Sequence, residues 1–104
     1  MQFNEKEDHS ITLEQARRWT KNYRETAGKD APLGAFYGKE AVLELLIQEE
    51  VVGFRYYNAI NDDGDSVLVL VGVNSDGDDV YEGNLMELGV PCPPYCSSAN
   101  PLNT

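Results

Sequence analysis

Long apolar runs are missing from this chain of 104 residues. None of them approaches the roughly 18 residues that a membrane-spanning helix requires. The first ten residues, MQFNEKEDHS, are polar and acidic, unlike the apolar centre of a secretory signal. We therefore expect a cytoplasmic protein that does not contact a membrane, and the length predicts a single domain.

The signatures of common enzymes are also missing. The sequence has no G-x-S-x-G nucleophile motif and no glycine-rich phosphate-binding motif. Its one histidine, His9, lies in the polar N-terminal segment and far in sequence from both cysteines. Because nucleophilic catalysis needs a nucleophile beside a base and an orienting group, the sequence predicts a non-enzymatic protein without a cofactor.

Positive charge is scarce and unevenly placed. Eighteen acidic and eight basic residues give a net charge of −10. Residues 49–90 hold ten acids and a single base, Arg55, whereas residues 1–48 sum to only −1. Such a segment repels phosphate backbones, so nucleic-acid binding is not expected. It suits a solvated surface, a surface that meets a basic partner, or an inhibitor that mimics nucleic acid.

The segment SITLEQARRWTKNYRETAGKD predicts a helix. Thr12 and Gln15 have the spacing of a capping box at its start, and Gly28 provides a stop signal at its end. Trp19 and Tyr23 recur at helical spacing, which predicts one apolar stripe buried against the rest of the fold.

Basic side chains also recur along this helix. Arg17, Lys21 and Arg24 are spaced to share one exposed face. They form either a solvated face that pairs with the protein's own acids or a strip that docks an anion or a partner.

A second helix is predicted to start near Gly38, and β-rich segments follow it. EEVVGFRYYNAI and SVLVLVGVN predict two strands that an Asp-Gly turn joins, and SDGDD predicts another turn before a short third strand. With Gly64 or Gly77 at position 6 of a calcium loop, positions 1 and 12 are not acidic, which excludes an EF-hand.

The predicted fold is α+β, with two N-terminal helices packed on an antiparallel meander of three or four strands. Residues 1–10 are expected to form a flexible arm, residues 11–90 a globular core and residues 91–104 an extended Cys/Pro tail. The middle strand, 67–73, is apolar at odd and even positions, which predicts burial of both faces. Because helices cover one face of a small sheet most readily, the other face predicts a homodimer.

Both cysteines lie in the closing segment GVPCPPYCSSANPLNT. The spacing of Cys92 and Cys96 differs from the C-x-x-C redox motif. A polyproline-like segment would hold their Cα atoms ~12 Å apart, beyond the ~7 Å that a disulfide allows, unless a tight turn or a cis proline intervenes. The leading interpretation is a structural tail in which Cys92 and Tyr95 pack on the domain. A disulfide, a thiol redox pair and a metal site with further ligands remain open.

Five stretches of the chain together carry a resemblance: ARRWTKNYRE, FYGKEAVLELL, GFRYY, LVLVGVNSDGDD and CPPYCSSANPLN. They resemble a family of small uncharacterised bacterial proteins that end in Cys-Pro-Pro-Tyr-Cys, over residues 10–104. The resemblance implies a bacterial origin, and it carries over no activity, cofactor or site residue to this chain.

The sequence thus predicts a non-enzymatic protein–protein interaction module, either a homodimer or the binder of an unidentified protein. A thiol-dependent redox switch or metal-binding protein that uses Cys92 and Cys96 is the first alternative. An acidic inhibitor that mimics nucleic acid is the second.

Overall fold

A computed structural model describes residues 2–104 and has an α+β fold with two small antiparallel sheets. The elements in chain order are α1 (Leu13–Ala27), β1 (Gly34–Phe36), α2 (Lys39–Leu46), β2 (Val51–Ile60), β3 (Ser66–Asn74), β4 (Leu85–Met86) and β5 (Val90–Cys92). One sheet has the order β2-β3-β4, and the other pairs β1 with β5. Within residues 2–104, neither helix has the length and apolar character that crossing a membrane requires.

The described residues form two compact units. The first, called the sheet unit, comprises residues 2–7 and 37–89 and contains α2 and the three-stranded sheet. The second, called the tail unit, comprises residues 8–36 and 90–104 and contains α1, β1 and β5. These units do not follow the arm, core and tail of the sequence analysis, and the domain count stays a prediction.

The expected arrangement of two helices on one meander with an extended tail is wrong. Helix α2 contacts β2 and β3, whereas α1 belongs to the tail unit. The tail provides β5, which pairs antiparallel with β1, Gly34 opposite Cys92 and Phe36 opposite Val90. Three-residue strands are too short to show a period, and this pair joins segments far apart in the chain, so local patterns could not reveal it.

The start of α1 is as predicted, but the burial of its apolar stripe is not. The Thr12 hydroxyl accepts the N–H of Gln15, and the Gln15 side chain accepts the N–H of Thr12, which completes the capping box. Gly28 ends the helix with a positive φ of 88°. No residue of α1 is fully buried, and Trp19 and Tyr23 remain 48% and 45% exposed.

Both Asp-Gly turns form in the sheet unit, but the short third strand does not follow the second turn directly, since β4 begins only at Leu85. The first joins β2 to β3, which pair antiparallel from Ile60 opposite Ser66 to Gly53 opposite Val73. The second turns the chain after β3 and brings Asp79 beside Val73.

Strand β3 is the centre of the core and is buried on both faces, as predicted. Leu70, Val71 and Val73 are 6%, 3% and 4% exposed. Gln48, which follows α2, and Val51, the first residue of β2, lie against the face of Gly72. On the opposite face, Arg55 reaches from β2 to Asp79. Because the chain itself supplies both covers, the pattern that suggested a homodimer does not require a second copy, and the dimer stays a prediction.

Candidate protein-binding surface

Strand β2 forms one edge of the three-stranded sheet. Nine of its ten residues pair with β3 on one side, and no described strand lies on the other. An edge strand presents unpaired backbone N–H and C=O groups, which can bind another strand.

The hydrogen bonds around β3 identify the backbone groups of β2 that face outward. In an antiparallel pair, a residue directs both backbone groups either at its partner or away from it, in strict alternation. The carbonyls of Leu68 and Gly72 accept hydrogen bonds from the Tyr37 hydroxyl and the Val80 N–H, which both lie outside β2. Their partners on β2 are Asn58 and Phe54. These two residues, and Tyr56 between them, therefore direct their backbone groups to the open edge.

The side chains of β2 are unusually exposed for a strand rich in large apolar residues. Phe54, Tyr56, Tyr57 and Ile60 are 50%, 57%, 47% and 74% exposed. Natural edge strands are commonly protected by lysine, proline or a bulge. Strand β2 contains no lysine and no proline. Its one irregularity is a bulge between Val51 and Gly53, at the start of its pairing with β3. The remainder of the edge is open.

The single charged residue of β2 is already occupied by an intramolecular contact. Arg55 donates to an Asp79 carboxylate oxygen at 2.5 Å and to the carbonyl of Gly77 at 3.3 Å. The Tyr57 hydroxyl donates to the other oxygen of the same carboxylate. The Tyr57 hydrogen bond, followed by Arg55, lowers the pKa of Asp79, and the hydrogen bond to Asp79 raises the pKa of Tyr57. The positive charge of β2 is thus neutralised inside the sheet unit.

Negative charge surrounds this edge. The sheet unit carries fourteen acidic and three basic residues, a net charge of −11, whereas the tail unit carries four and five, a net charge of +1. Exposed acids stand at both ends of β2: Glu49 and Glu50 before it, and Asp62, Asp63 and Asp65 in the turn after it. An apolar, hydrogen-bonding edge between two acidic ends is the arrangement that the sheet unit offers to a partner.

The predicted cysteine site has a different structure from the leading interpretation. Cys92 and Cys96 form a disulfide with their Cα atoms 4.8 Å apart. The Cys92–Pro93 and Pro93–Pro94 bonds are cis, and the turn is closed by the Tyr95 N–H, which donates to the Pro91 carbonyl. Tyr95 does not pack on the protein, since 69% of it is exposed.

The rest of the tail is folded and not extended. The side chain of Asn100 binds Ser97, Ser98 and the N–H of Leu102, and Asn103 binds the carbonyls of Ser97 and Ser98. Asparagine side chains that bond nearby backbone groups replace regular secondary structure here.

The predicted basic strip of α1 makes contacts within the tail unit. Arg17 pairs with Glu14 at 3.4 Å, and Lys21 pairs with Glu25 at 3.8 Å. Arg24 donates to the carbonyl of Leu102 at 2.8 Å, which ties the tail to the helix. Arg17 also borders an open depression of about 730 Å³ that Asn100 and Thr104 help to line. The strip therefore has partners of its own, and an anion or docking role stays a prediction.

The part of the chain that the structure describes contains no candidate metal-binding site. Within residues 2–104, no group of three or more His, Cys, Asp or Glu side chains is placed to hold an ion. The two cysteines are bonded to each other and so do not present thiolates to a metal.

Sequence reasoning did not identify β2 as a site. GFRYY predicted a strand, but its place at the edge depends on what pairs beside it. A usable signal was present: large apolar side chains occur at both odd and even positions between Phe54 and Ile60, in a strand without lysine or proline.

Comparison with protein-family profiles, curated proteins and solved structures finds no match to this chain. The resemblance to small bacterial proteins therefore stays a prediction, and function is inferred from the residues alone.

Proposed function

We propose that this protein acts by binding another protein chain, without catalysis, and that β2 of the sheet unit is the contact surface. The observation that carries the proposal is the exposure of Phe54, Tyr56, Tyr57 and Ile60 on one edge strand. Aromatic side chains supply much of the binding energy where proteins meet, because each buries a large area on contact.

Two kinds of partner fit this proposal. A second copy of the chain would make the homodimer that the sequence predicts. A different protein would have to tolerate the −11 charge of the sheet unit, which favours a basic partner because opposite potentials accelerate association.

The test compares two tyrosines of the sheet unit. Tyr56→Ser removes an aromatic ring from the middle of β2, whereas Tyr81→Ser removes one that is 69% exposed elsewhere in the unit. If the partner is a second copy, we expect Tyr56→Ser to lose the dimer in sedimentation equilibrium. If it is a different protein, we expect Tyr56→Ser to lose the protein that the wild type captures from extracts of the source cells. Tyr81→Ser should retain the partner in either case. The proposal would be contradicted if the protein is a strict monomer and if the wild type and Tyr56→Ser capture the same proteins.

A second function is favoured by the disulfide between Cys92 and Cys96. Disulfides persist mainly in oxidising compartments, and in the cytoplasm they are usually transient or redox-sensing. If the protein is cytoplasmic, as the sequence predicts, this proposal makes the pair a reversible switch. Two glutathione molecules would reduce it to two thiols and leave as glutathione disulfide.

The switch is tested by its reduction potential. After equilibration in glutathione buffers, free thiols are counted by mass spectrometry, with the Cys92→Ser, Cys96→Ser double variant as the blank. A midpoint above about −300 mV would support a switch, whereas a lower one indicates a structural bridge. As a bridge, the short loop contributes about 2 kcal/mol to the free energy of unfolding, which the double variant would lose.

A further inference from the structure

We infer that β2 binds an extended segment of a partner protein as an added strand, and that this segment carries lysine or arginine at both ends. The inference rests on the proposed function and specifies its partner. Strand addition uses backbone hydrogen bonds for affinity and alternate side chains for specificity.

The backbone of β2 provides the hydrogen bonds. The residues whose N–H and C=O groups face outward are Phe54, Tyr56, Asn58 and Ile60, by the alternation that the carbonyls of Leu68 and Gly72 establish. An incoming strand can pair with every one of these groups without disturbing the bonds between β2 and β3.

The same residues determine which side chains the added strand meets. Alternate residues of a strand share one face of a sheet, so these four side chains line the same face. Cross-strand contacts of aromatic with β-branched side chains stabilise a sheet. Val, Ile or Thr at alternate positions of the segment would therefore meet Phe54 and Tyr56.

The length of β2 and the charge at its ends specify the rest of the segment. Ten residues at ~3.3 Å each extend over ~33 Å. A segment of that length places its ends near Glu49 and Glu50 on one side and near Asp62, Asp63 and Asp65 on the other. Basic residues at both ends suit either strand direction, and Arg55 does not oppose them because Asp79 neutralises it.

A second copy of the chain fits this edge poorly. Antiparallel pairing of two β2 strands would bring Glu49 and Glu50 of one copy against Asp62 and Asp63 of the other. Parallel pairing would oppose the acids to themselves. Like charges that face each other across strands are destabilising, so a basic segment is the occupant that this edge favours.

A synthetic peptide of about ten residues tests the inference. It alternates Val and Thr and carries two lysines at each end. One control peptide has glutamates in place of the lysines, and another has N-methyl groups on all of its Val and Thr backbone amides, so that neither of its edges can donate to β2. Each peptide is titrated into the ¹⁵N-labelled full-length protein, and amide hydrogen exchange is measured in the free and bound states.

In the free protein we expect fast exchange at the amides of Phe54, Tyr56 and Asn58 and slow exchange at those of Arg55 and Tyr57. The lysine peptide should slow the first group and leave the second unchanged. Its affinity should exceed that of the glutamate peptide at least about tenfold and should fall as salt is added. The N-methylated peptide should not bind.

Two variants at residue 58 test whether the peptide binds through the open edge of β2. Asn58→Pro removes an outward N–H, and proline is tolerated on edge strands where its missing N–H faces solvent. Asn58→Thr keeps that N–H. We expect only the proline variant to lose the peptide. If the proline variant does not fold, the N-methylated peptide still decides the question.

Four results would overturn the inference. They are no binding of the lysine peptide at about 1 mM, equal binding of the glutamate peptide, protection at other residues, or a dimer in which the outward amides are already protected. A different result separates the proposed function from the inference of strand addition. If Tyr56→Ser loses a natural partner that Asn58→Pro keeps, protein binding stands and strand addition fails.

Discussion

At the scale of single residues, three side chains govern one face of the sheet. Arg55 and Tyr57 both bind the carboxylate of Asp79, and this face also holds Val71 and Val73. Arg55 keeps 35% of its side chain exposed and Asp79 keeps 23%, so water weakens the ion pair but does not reach the valines below it. The cluster covers the core and neutralises the one base of β2.

Asp79→Asn should make the stability of the protein less dependent on acid. The Tyr57 hydrogen bond, then Arg55, lowers the pKa of Asp79 below its ordinary value of 3.8. A lowered folded-state pKa means that the carboxylate contributes its full stability above 3.8 and loses it as pH falls through the folded-state pKa. We expect Asp79→Asn to be less stable than wild type at pH 7 and equally stable in strong acid.

Urea unfolding between pH 2 and 7 measures this difference. Asp78→Asn is the matched control, since it removes a neighbouring carboxylate whose residue contributes only backbone bonds to the turn. A deficit of Asp79→Asn that stays constant across this pH range would show that the ionised carboxylate is not its cause.

Gly72→Ala should destabilise the sheet unit through overpacking. A Cβ at residue 72 would lie 2.7 Å from Cγ2 of Val51, a branched side chain that is itself buried. Inserting a methyl group into such a site typically costs 1–3 kcal/mol. Gly53→Ala, on the paired strand, meets no atom within 4 Å and should be nearly neutral. Equal unfolding free energies for the two variants in urea would refute the packing argument.

At the scale of elements, two turns repeat one design. NDDGD at 61–65 and NSDGD at 74–78 each begin with an asparagine whose Oδ1 accepts two backbone N–H groups. In each, the asparagine N–H donates to the carbonyl four residues on, and its carbonyl accepts from the glycine. Gly64 and Gly77 have φ of 87° and 86°, a region that favours glycine. Side chain and backbone together fix the length of both hairpin loops.

Asn74→Ala removes two of these side-chain hydrogen bonds, each 3.0 Å long. Because a typical bond contributes ~0.5–1.5 kcal/mol, we expect the loss of two to lower the free energy of unfolding by ~1–3 kcal/mol. Ser75→Ala, in the same turn, should change it by less than ~0.5 kcal/mol. Chemical denaturation checks both values, and a loss as large for Ser75→Ala would indicate a general sensitivity of the turn.

At the scale of the whole molecule, charge separates with structure. Fourteen of the eighteen acids lie in the sheet unit, and five of the eight bases lie in the tail unit. The sequence shows an acidic segment at 49–90, but the units show that residues 2–7 and α2 add to the same negative body. Such self-repulsion opposes compaction and is relieved by salt.

Added salt should therefore stabilise the protein. Raising NaCl from about 20 to 300 mM shortens the Debye length from ~20 Å to ~6 Å, which screens repulsion between exposed acids. We expect the midpoint of thermal unfolding to rise by a few degrees, to the same extent in KCl, which separates screening from binding of a particular cation. A midpoint that falls with salt would mean that the surface ion pairs outweigh the repulsion.

Local order could be predicted from the sequence because its causes are local. Thr12 and Gln15 cap α1, and Asp-Gly pairs with alternating apolar segments make hairpins, through atoms only a few residues apart. The burial of β3 on both faces also followed from composition, since Val and Leu at both parities leave no polar face. An acidic, largely β second half followed in the same way.

Tertiary structure decided everything that depends on distant partners. The sequence does not show that β1 pairs with β5, that Asp79 binds Arg55 and Tyr57, or that Cys92 meets Cys96, because each requires a specific path of the intervening chain. The same holds for the candidate site. An apolar strand has the same sequence pattern at the centre of a sheet as at its edge. Only the arrangement of the neighbouring strands leaves the outward backbone groups of β2 free to bind.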